Sequence, residues 1–224
     1  MRFNSLCGLL AIVMASASAA FAAPVPWSNA NGSAISFDWS NGHSDDGLFG
    51  SPALVGDKFV FFPSAFKAAS ANGTGHQLSD RLQFTLLIKP NYILQQIVLN
   101  EEGNYSILGA GAVHVSGGLW AKNLSGPGLI NAQLNAPGMP TFVPPNDPSA
   151  PWSATTSVLP TGWTEVEVVF NNILQAITSG GSVSDIEKTV IEASIVTTLI
   201  PEPGSLGLLL GGAALLLRRR GNTR

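Results

Sequence analysis

The chain has 224 residues, of which 45% are hydrophobic and 11% are charged, and its formal net charge is −3. Between residues 23 and 200, six Lys or Arg residues stand against thirteen Asp or Glu residues, a net charge near −7. This acidic balance disfavours nucleic acids and anionic surfaces as partners, and the stretch has the length of one domain.

The first 22 residues have the pattern of a secretory signal peptide. Arg2 supplies a positive start, residues 6–14 are mostly apolar, and Ala20 and Ala22 form the small-x-small pattern that precedes a cleavage site. We predict a signal helix over these residues and cleavage after Ala22, with an uncleaved membrane anchor as the alternative. Cys7, the only cysteine, would leave with the signal, so we expect no disulfide, cysteine nucleophile or thiolate metal site in the mature protein.

The stretch from residue 23 to 200 alternates between apolar and polar side chains, which predicts half-buried β-strands. The longest alternations cover residues 81–89, 164–170 and 191–199. Further strands are predicted over 34–39, 58–62, 92–99, 105–108 and 112–120. The run Glu101-Glu102-Gly103-Asn104 is typical of a turn, so we expect a hairpin between the strands on either side of it.

Residues 135–162 interrupt this series with seven prolines. Because proline lacks a backbone donor, the segment cannot be a central strand, and we predict a long surface loop. Many strands separated by turn signals predict an all-β fold. We expect an antiparallel β-sandwich of jelly-roll-like topology over residues 23–200.

Residues 23–200 contain one weak candidate for a metal site. Asp45 and Asp46 lie in a glycine-bearing segment whose carboxylates could hold Ca²⁺, although aspartates are also ordinary turn residues. His43, His76 and His114 are far apart in the sequence, and none forms the i, i+4 pair of a helical zinc site.

Glu165 and Glu167 fall on one face of a predicted strand, about 7 Å apart. Paired carboxylates at such a spacing can hydrolyse glycosidic bonds, but alternating glutamates also mark a solvated strand face, and we favour the second interpretation. No nucleotide-binding, phosphate-binding or serine-hydrolase motif occurs. We therefore predict a protein that is not an enzyme and that takes no cofactor.

Five tryptophans are many for a domain of this size. Trp120 is predicted on an outward strand face, and Trp152 lies in the proline-rich segment. Exposed tryptophan rings can stack on sugar rings through apolar contact, so these two are candidate sugar-binding residues. Packing in the core or at the end of a sheet is the alternative that we favour.

The C-terminus carries three motifs in order: a Pro-Glu-Pro tripeptide, an apolar run over residues 204–217 and an arginine cluster. Arginines that follow an apolar run prefer the cytoplasmic side, which predicts a short transmembrane helix with the tripeptide outside. As a helix the run would span about 21 Å, less than the ~30 Å hydrocarbon core, which favours a temporary anchor. The motif residues are Pro201, Glu202, Pro203, Arg218, Arg219 and Arg220.

This order of motifs resembles the PEP-CTERM proteins of Gram-negative bacteria. The resemblance implies a sorting tag over residues 201–224 that is recognised by exosortase, a membrane transpeptidase that acts at the Pro-Glu-Pro motif. A looser resemblance to the same proteins covers residues 97–120, where a V-x-E-x-G-like segment precedes glycine-spaced strands.

We therefore expect an exported protein that is held briefly in the bacterial inner membrane and processed by an exosortase. It would then reach the cell surface or extracellular matrix as a non-catalytic β-sandwich. The alternative is a carbohydrate-binding module that associates with exopolysaccharide. A third hypothesis, an exported glycoside hydrolase or lyase, has the least support.

Overall fold

The computed structural model describes residues 23–135 and 149–201. In these ranges the regular elements are all β-strands and every pairing is antiparallel, which confirms the predicted all-β class. The strands are β1 (Val25–Pro26), β2 (Gly32–Ser33), β3 (Phe37–Ser44), β4 (Ala53–Val55), β5 (Lys58–Phe61), β6 (Lys67–Ala71), β7 (Gly75–Ile88), β8 (Tyr92–Leu108), β9 (Gly111–Asn123), β10 (Leu129–Gln133), β11 (Ala150–Val158), β12 (Glu165–Thr178) and β13 (Val183–Leu199).

The two predicted terminal helices, residues 1–22 and 204–217, lie outside the described residues, as do all the motif residues of the tag except Pro201. The part of the chain that is described holds no helix with the length and apolar character needed to cross a membrane.

The strands form two sheets. Sheet A has the order β1-β3-β7-β12-β9-β10, with β2 beside β3, and sheet B has the order β11-β8-β13-β5-β4, with β6 beside β13. The strands β7, β8 and β9 alternate between sheet A and sheet B, and so do β11, β12 and β13. The short strand β10, between these two groups, pairs with β9 in sheet A. Consecutive long strands of these two groups therefore lie in opposite sheets instead of pairing.

The inward faces of the two sheets share one hydrophobic core. Phe59 of sheet B and Phe84 of sheet A meet across it, with ring centroids 5.1 Å apart, and the ring of Trp27 lies 5.5 Å from that of Phe84. The predicted alternation is confirmed in β7 and β12, where the apolar set is buried. The buried members of this set are Leu82, Phe84, Leu86, Ile88, Val166, Val168 and Phe170.

The turn predicted at residues 101–104 is wrong. These residues lie in the middle of β8, which runs without interruption from Tyr92 to Leu108. They are paired on one side with β11 and on the other with β13, and pairing on both sides holds them extended despite their turn-like composition.

The surface loop predicted over residues 135–162 is also wrong in part, because β11 occupies Ala150–Val158. This strand lies at the edge of sheet B, where it pairs along its length with β8, and Thr155 also bridges Asn135 on its other side. Pro151 therefore does not interrupt a central ladder. Residues 136–148, which contain five of the seven prolines in the segment, lie outside the described residues.

Candidate functional site: an aromatic groove on sheet A

The outer face of sheet A carries a groove of about 310 Å³. Neighbouring strands β7, β12, β9 and β10 line it, and its residues include Trp120, Lys122, Glu167 and Asn171. Strand register produces this grouping, because Trp120 lies opposite Val169 of β12 and Lys122 lies opposite Glu167. Residues two apart on a strand share a face, so these side chains project together.

Trp120 lies along its own strand and packs over Gly118. A Cβ atom added at Gly118 would come within 2.8 Å of the indole ring, so the glycine leaves the space that the ring occupies. The ring is half-buried and lines the groove. Since the sheet supports it from below, Trp120 forms a fixed apolar platform of the kind on which a sugar ring can stack.

Polar groups beside this platform are held by hydrogen bonds. Arg81 donates from Nη2 to Oε1 of Gln83 at 2.7 Å, and Gln83 donates from Nε2 to Oε2 of Glu167 at 3.0 Å. This chain fixes the carboxylate of Glu167 at the groove. An apolar surface with a few oriented polar groups is the usual composition of a small-molecule binding site.

Trp152, the second candidate for sugar stacking, is buried in the core, which is the alternative that the sequence favours. Its side chain is 5% exposed, and its Nε1 donates to the backbone oxygen of Glu187 at 3.1 Å. The ring packs over Gly103, where an added Cβ would lie 2.5 Å from Nε1. Because β11 joins sheet B as an edge strand, its alternation turns Trp152 into the core.

The loop after β3, which contains the calcium candidates Asp45 and Asp46, is organised by Asp80. The carboxylate of Asp80 accepts hydrogen bonds from the backbone nitrogens of Asp46 (3.0 Å), Leu48 (2.8 Å) and Arg81 (2.8 Å). Burial raises the pKa of Asp80, and these hydrogen bonds oppose that rise. Among the described residues no three metal-ligating side chains come together, so a calcium site at Asp45 and Asp46 gains no structural support.

The remaining sequence candidates are dispersed. Glu165 and Glu167 are both partly exposed on β12, as the alternation predicts. His43, His76 and His114 lie on three different strands, β3, β7 and β9. The structure does not bring the histidines into the groove.

A polar cluster that the sequence predictions do not include lies inside the core. The Nζ of Lys188 contacts the carboxylate of Glu101 and lies 3.1 Å from Oδ1 of Asn172. All three side chains are buried, with residue exposures of 2%, 0% and 0%. The sequence contains an indication of this cluster: each of the three polar residues occupies a strand position where the alternation predicts a buried apolar side chain.

Comparison with known proteins assigns no family. No family model matches the chain, and no curated protein matches it. Among solved structures, the chain is similar to Eiger TNF from S. frugiperda, with a TM-score of 0.27 and 10% identity over 62% of this chain and 96% of that one. It is also similar to TmCBM61 in complex with β-1,4-galactotriose, with a TM-score of 0.24 and 7% identity over 73% of this chain and 94% of that one. Similarity at this level carries no functional argument.

Proposed function

We propose that the chain is an exported, non-catalytic protein of the bacterial cell surface or extracellular matrix, sorted through a PEP-CTERM tag. The observation that carries the proposal is the order of Pro-Glu-Pro, apolar run and arginine cluster at one end, with a signal-like segment at the other. The described domain supports the non-catalytic part of the proposal, since its two antiparallel sheets share one hydrophobic core and its residues include no cysteine. The alternation of the long strands between the sheets supports classing it as a jelly-roll-like sandwich.

The test is the mass and location of the protein in cells with and without an exosortase. With the enzyme, we expect a product outside the cells that lacks residues 1–22 and the tag; without it, the tag remains and the chain stays with the inner membrane. Glu202→Ala should block processing, whereas Asn222→Ala, beyond the arginine cluster, should not. Full-length chain that accumulates in the cytosol of cells with the enzyme would overturn the proposal.

A second candidate function, carbohydrate binding, is favoured by one observation: the ring of Trp120 packed over Gly118 beside the fixed carboxylate of Glu167. In this function the groove on sheet A would associate with an exopolysaccharide. Stacking would supply apolar contact, and the polar groups would orient the sugar hydroxyls.

Affinity electrophoresis in gels that contain purified bacterial exopolysaccharide tests this second function. Trp120→Ala should weaken retardation of the protein about tenfold, because one stacking contact is lost. Trp163→Ala is the matched control, since Trp163 is also half-buried but lies outside the groove lining. Unretarded wild-type protein, with and without Ca²⁺, would remove carbohydrate binding while leaving the sorting proposal intact.

A further inference from the structure

The buried cluster combines an amine with a carboxylate and an amide, each of which contacts the amine. Lys188 of β13 and Glu101 of β8 come from sheet B, whereas Asn172 of β12 comes from sheet A. The amine nitrogen of Lys188 lies 3.1 Å from the side-chain oxygen of Asn172, one bond away from the amide carbon. We propose that Lys188 and Asn172 form an amide cross-link between the two sheets, with Glu101 as the residue that transfers the protons.

Lys188 is placed as a nucleophile. Its side chain is completely buried, and its Nζ contacts Glu101 and Asn172 and lies over the faces of two aromatic rings. Burial lowers the pKa of Lys188, and the negative charge of Glu101 opposes that effect. A lowered pKa makes the lysine give up its proton more readily, and attack on a carbonyl carbon requires the neutral amine.

Asn172 is placed as the electrophile, and its environment favours loss of its nitrogen. Nδ2 of Asn172 and Oε1 of Glu101 are buried and have no hydrogen-bond partner among the described residues. A buried polar group without a partner costs about 1–3 kcal/mol of stability. Amide formation removes Nδ2 from the protein altogether and leaves an uncharged amide nitrogen in place of the buried amine of Lys188.

Starting from the neutral amine of Lys188 and the carboxylate of Glu101, the step balances without any co-reactant. The Nζ of Lys188 bonds to Cγ of Asn172, and Glu101 takes a proton from the attacking nitrogen. As the tetrahedral intermediate collapses, the bond from Cγ to Nδ2 breaks and Glu101 returns the proton to the leaving nitrogen. One ammonia molecule departs, no group is oxidised or reduced, and Glu101 ends in its starting state.

The surroundings enclose the reacting atoms. Nζ of Lys188 lies 5.1 Å from the ring centroid of Trp152 and 5.4 Å from that of Phe66. Gly103 is paired with Lys188 in the ladder, and its lack of a side chain leaves room for the indole of Trp152. Gly117 leaves room for Asn172 in the same way, because a Cβ added at Gly117 would lie 2.7 Å from Oδ1 of Asn172. Exclusion of water in this way protects an amide bond from hydrolysis and strengthens the interactions with Glu101.

Strand irregularity explains how Lys188 reaches this position. The ladder between β13 and β8 shifts register between Lys188 and Val190, which indicates a bulge at that point. Before the shift the even-numbered residues Ser184, Ile186 and Lys188 are buried, and after it Ile191 and Ala193 are buried. A bulge changes the direction in which side chains point. This one lets Lys188 point into the core while Ile191 and Ala193, after the bulge, also remain buried.

Peptide mapping of the wild-type chain tests the cross-link. The full-length protein is purified folded, then denatured and digested with trypsin. An unmodified chain yields the fragment 123–188, because no Lys or Arg lies between these cleavage points. The cross-linked chain is not cut after Lys188, since that amine has become an amide. Residues 123–188 then remain joined to the segment that follows, and the joined fragment is lighter by one ammonia, about 17 Da.

Other outcomes of the same digest overturn the assignment. Recovery of fragment 123–188 at full yield and unmodified mass excludes the bond. A deficit of one water, about 18 Da, together with a link from Lys188 to Glu101, would make Glu101 the electrophile and exclude the role given to Asn172. The wild-type map decides between these results without any variant.

Two matched pairs of variants then assign the roles. Glu101→Gln keeps the size of the side chain but removes the proton acceptor, so we expect complete loss of the cross-link, whereas Glu102→Gln on the opposite face of β8 should retain it. Asn172→Ala should abolish the bond, and Asn171→Ala, which faces the outer groove, should not. Circular dichroism identifies the folded variants, and a folded Glu101→Gln protein that still carries the bond would refute the role of Glu101.

Discussion

Asn172 and Lys188 are in contact across the core, with Oδ1 and Nζ 3.1 Å apart, although they belong to different sheets. Their strands, β12 and β13, are consecutive in the chain, and residues 179–182 make the crossing between them. A covalent link at this point would fix the crossing from inside the core. If Cys7 leaves with the signal peptide, this link would take the place of the disulfides that many exported domains use.

Gly103 is predicted to be intolerant of any side chain. A Cβ at this position would lie 1.9 Å from the backbone oxygen of Glu187 and 2.5 Å from Nε1 of Trp152. Gly103→Ala should therefore lower the free energy of unfolding by about 3 kcal/mol or more, measured by urea denaturation. Gly180→Ala is the control, because that position is exposed and has open space around it. Equal stability of the two variants would contradict the described packing of Trp152.

Phe59 is predicted to be a principal support of the contact between the sheets. It is fully buried, and its ring lies 5.1 Å from that of Phe84 and 5.3 Å from that of Trp39. Phe59→Ala should cost about 3–5 kcal/mol of unfolding free energy. Phe62→Ala, three residues later at a site that is 67% exposed, should change it by less than about 0.5 kcal/mol. A small effect of Phe59→Ala would mean that the sheets do not pack as described.

Asp80 should make stability depend on pH in a defined direction. Because burial raises its pKa in the folded state above the ordinary 3.8, folding favours the protonated form. The contribution of Asp80 is therefore greatest below that value and is lost as pH rises through the folded pKa. We expect the unfolding free energy of the wild type, relative to Asp80→Asn, to fall as pH rises above 3.8 and then to level off. A relative stability that increases over this range would show that the backbone hydrogen bonds outweigh burial.

Gly118 should control the groove through the ring of Trp120. A methyl group at Gly118 would lie 2.8 Å from the end of the indole, so Gly118→Ala should displace the ring while leaving the core unchanged. If the groove binds polysaccharide, this variant should lose affinity about as much as Trp120→Ala, with little change in the denaturation midpoint. Tryptophan fluorescence should report the new environment of the ring. Unchanged fluorescence would contradict the position of the ring, and unchanged retardation of a protein with a displaced ring would contradict its role in binding.

The fold could be predicted where alternation is strict and apolar. In β7 and β12 the period of two places seven apolar side chains in the core, and the structure confirms each of them. The prediction failed in β8, where Glu101 and Gly103 look like turn residues. Their strand character comes from pairing with β11 and β13, which are distant in the sequence, so local composition could not reveal it.

Among the candidate site residues, too, some could be placed from the local sequence pattern and others only from tertiary packing. Trp120 could be assigned to an outward face from its neighbours on β9, and it lines the groove. Core packing is also the alternative that the sequence favours for Trp152, but the strand that buries it could not be predicted, because that strand lies in a proline-rich segment. Lys188, Glu101 and Asn172 each break the apolar pattern of a different strand, and only the packing of the two sheets brings these three exceptions together.

The intact mass of the folded wild-type protein, with both chain ends defined by sequencing, tests the internal cross-link most directly. We predict a mass lower by one ammonia, about 17 Da, than that calculated from the sequence between those ends, and no such deficit in Glu101→Gln. A wild-type mass equal to the calculated value would contradict the cross-link and leave the cluster as a buried ion pair with an amide beside it.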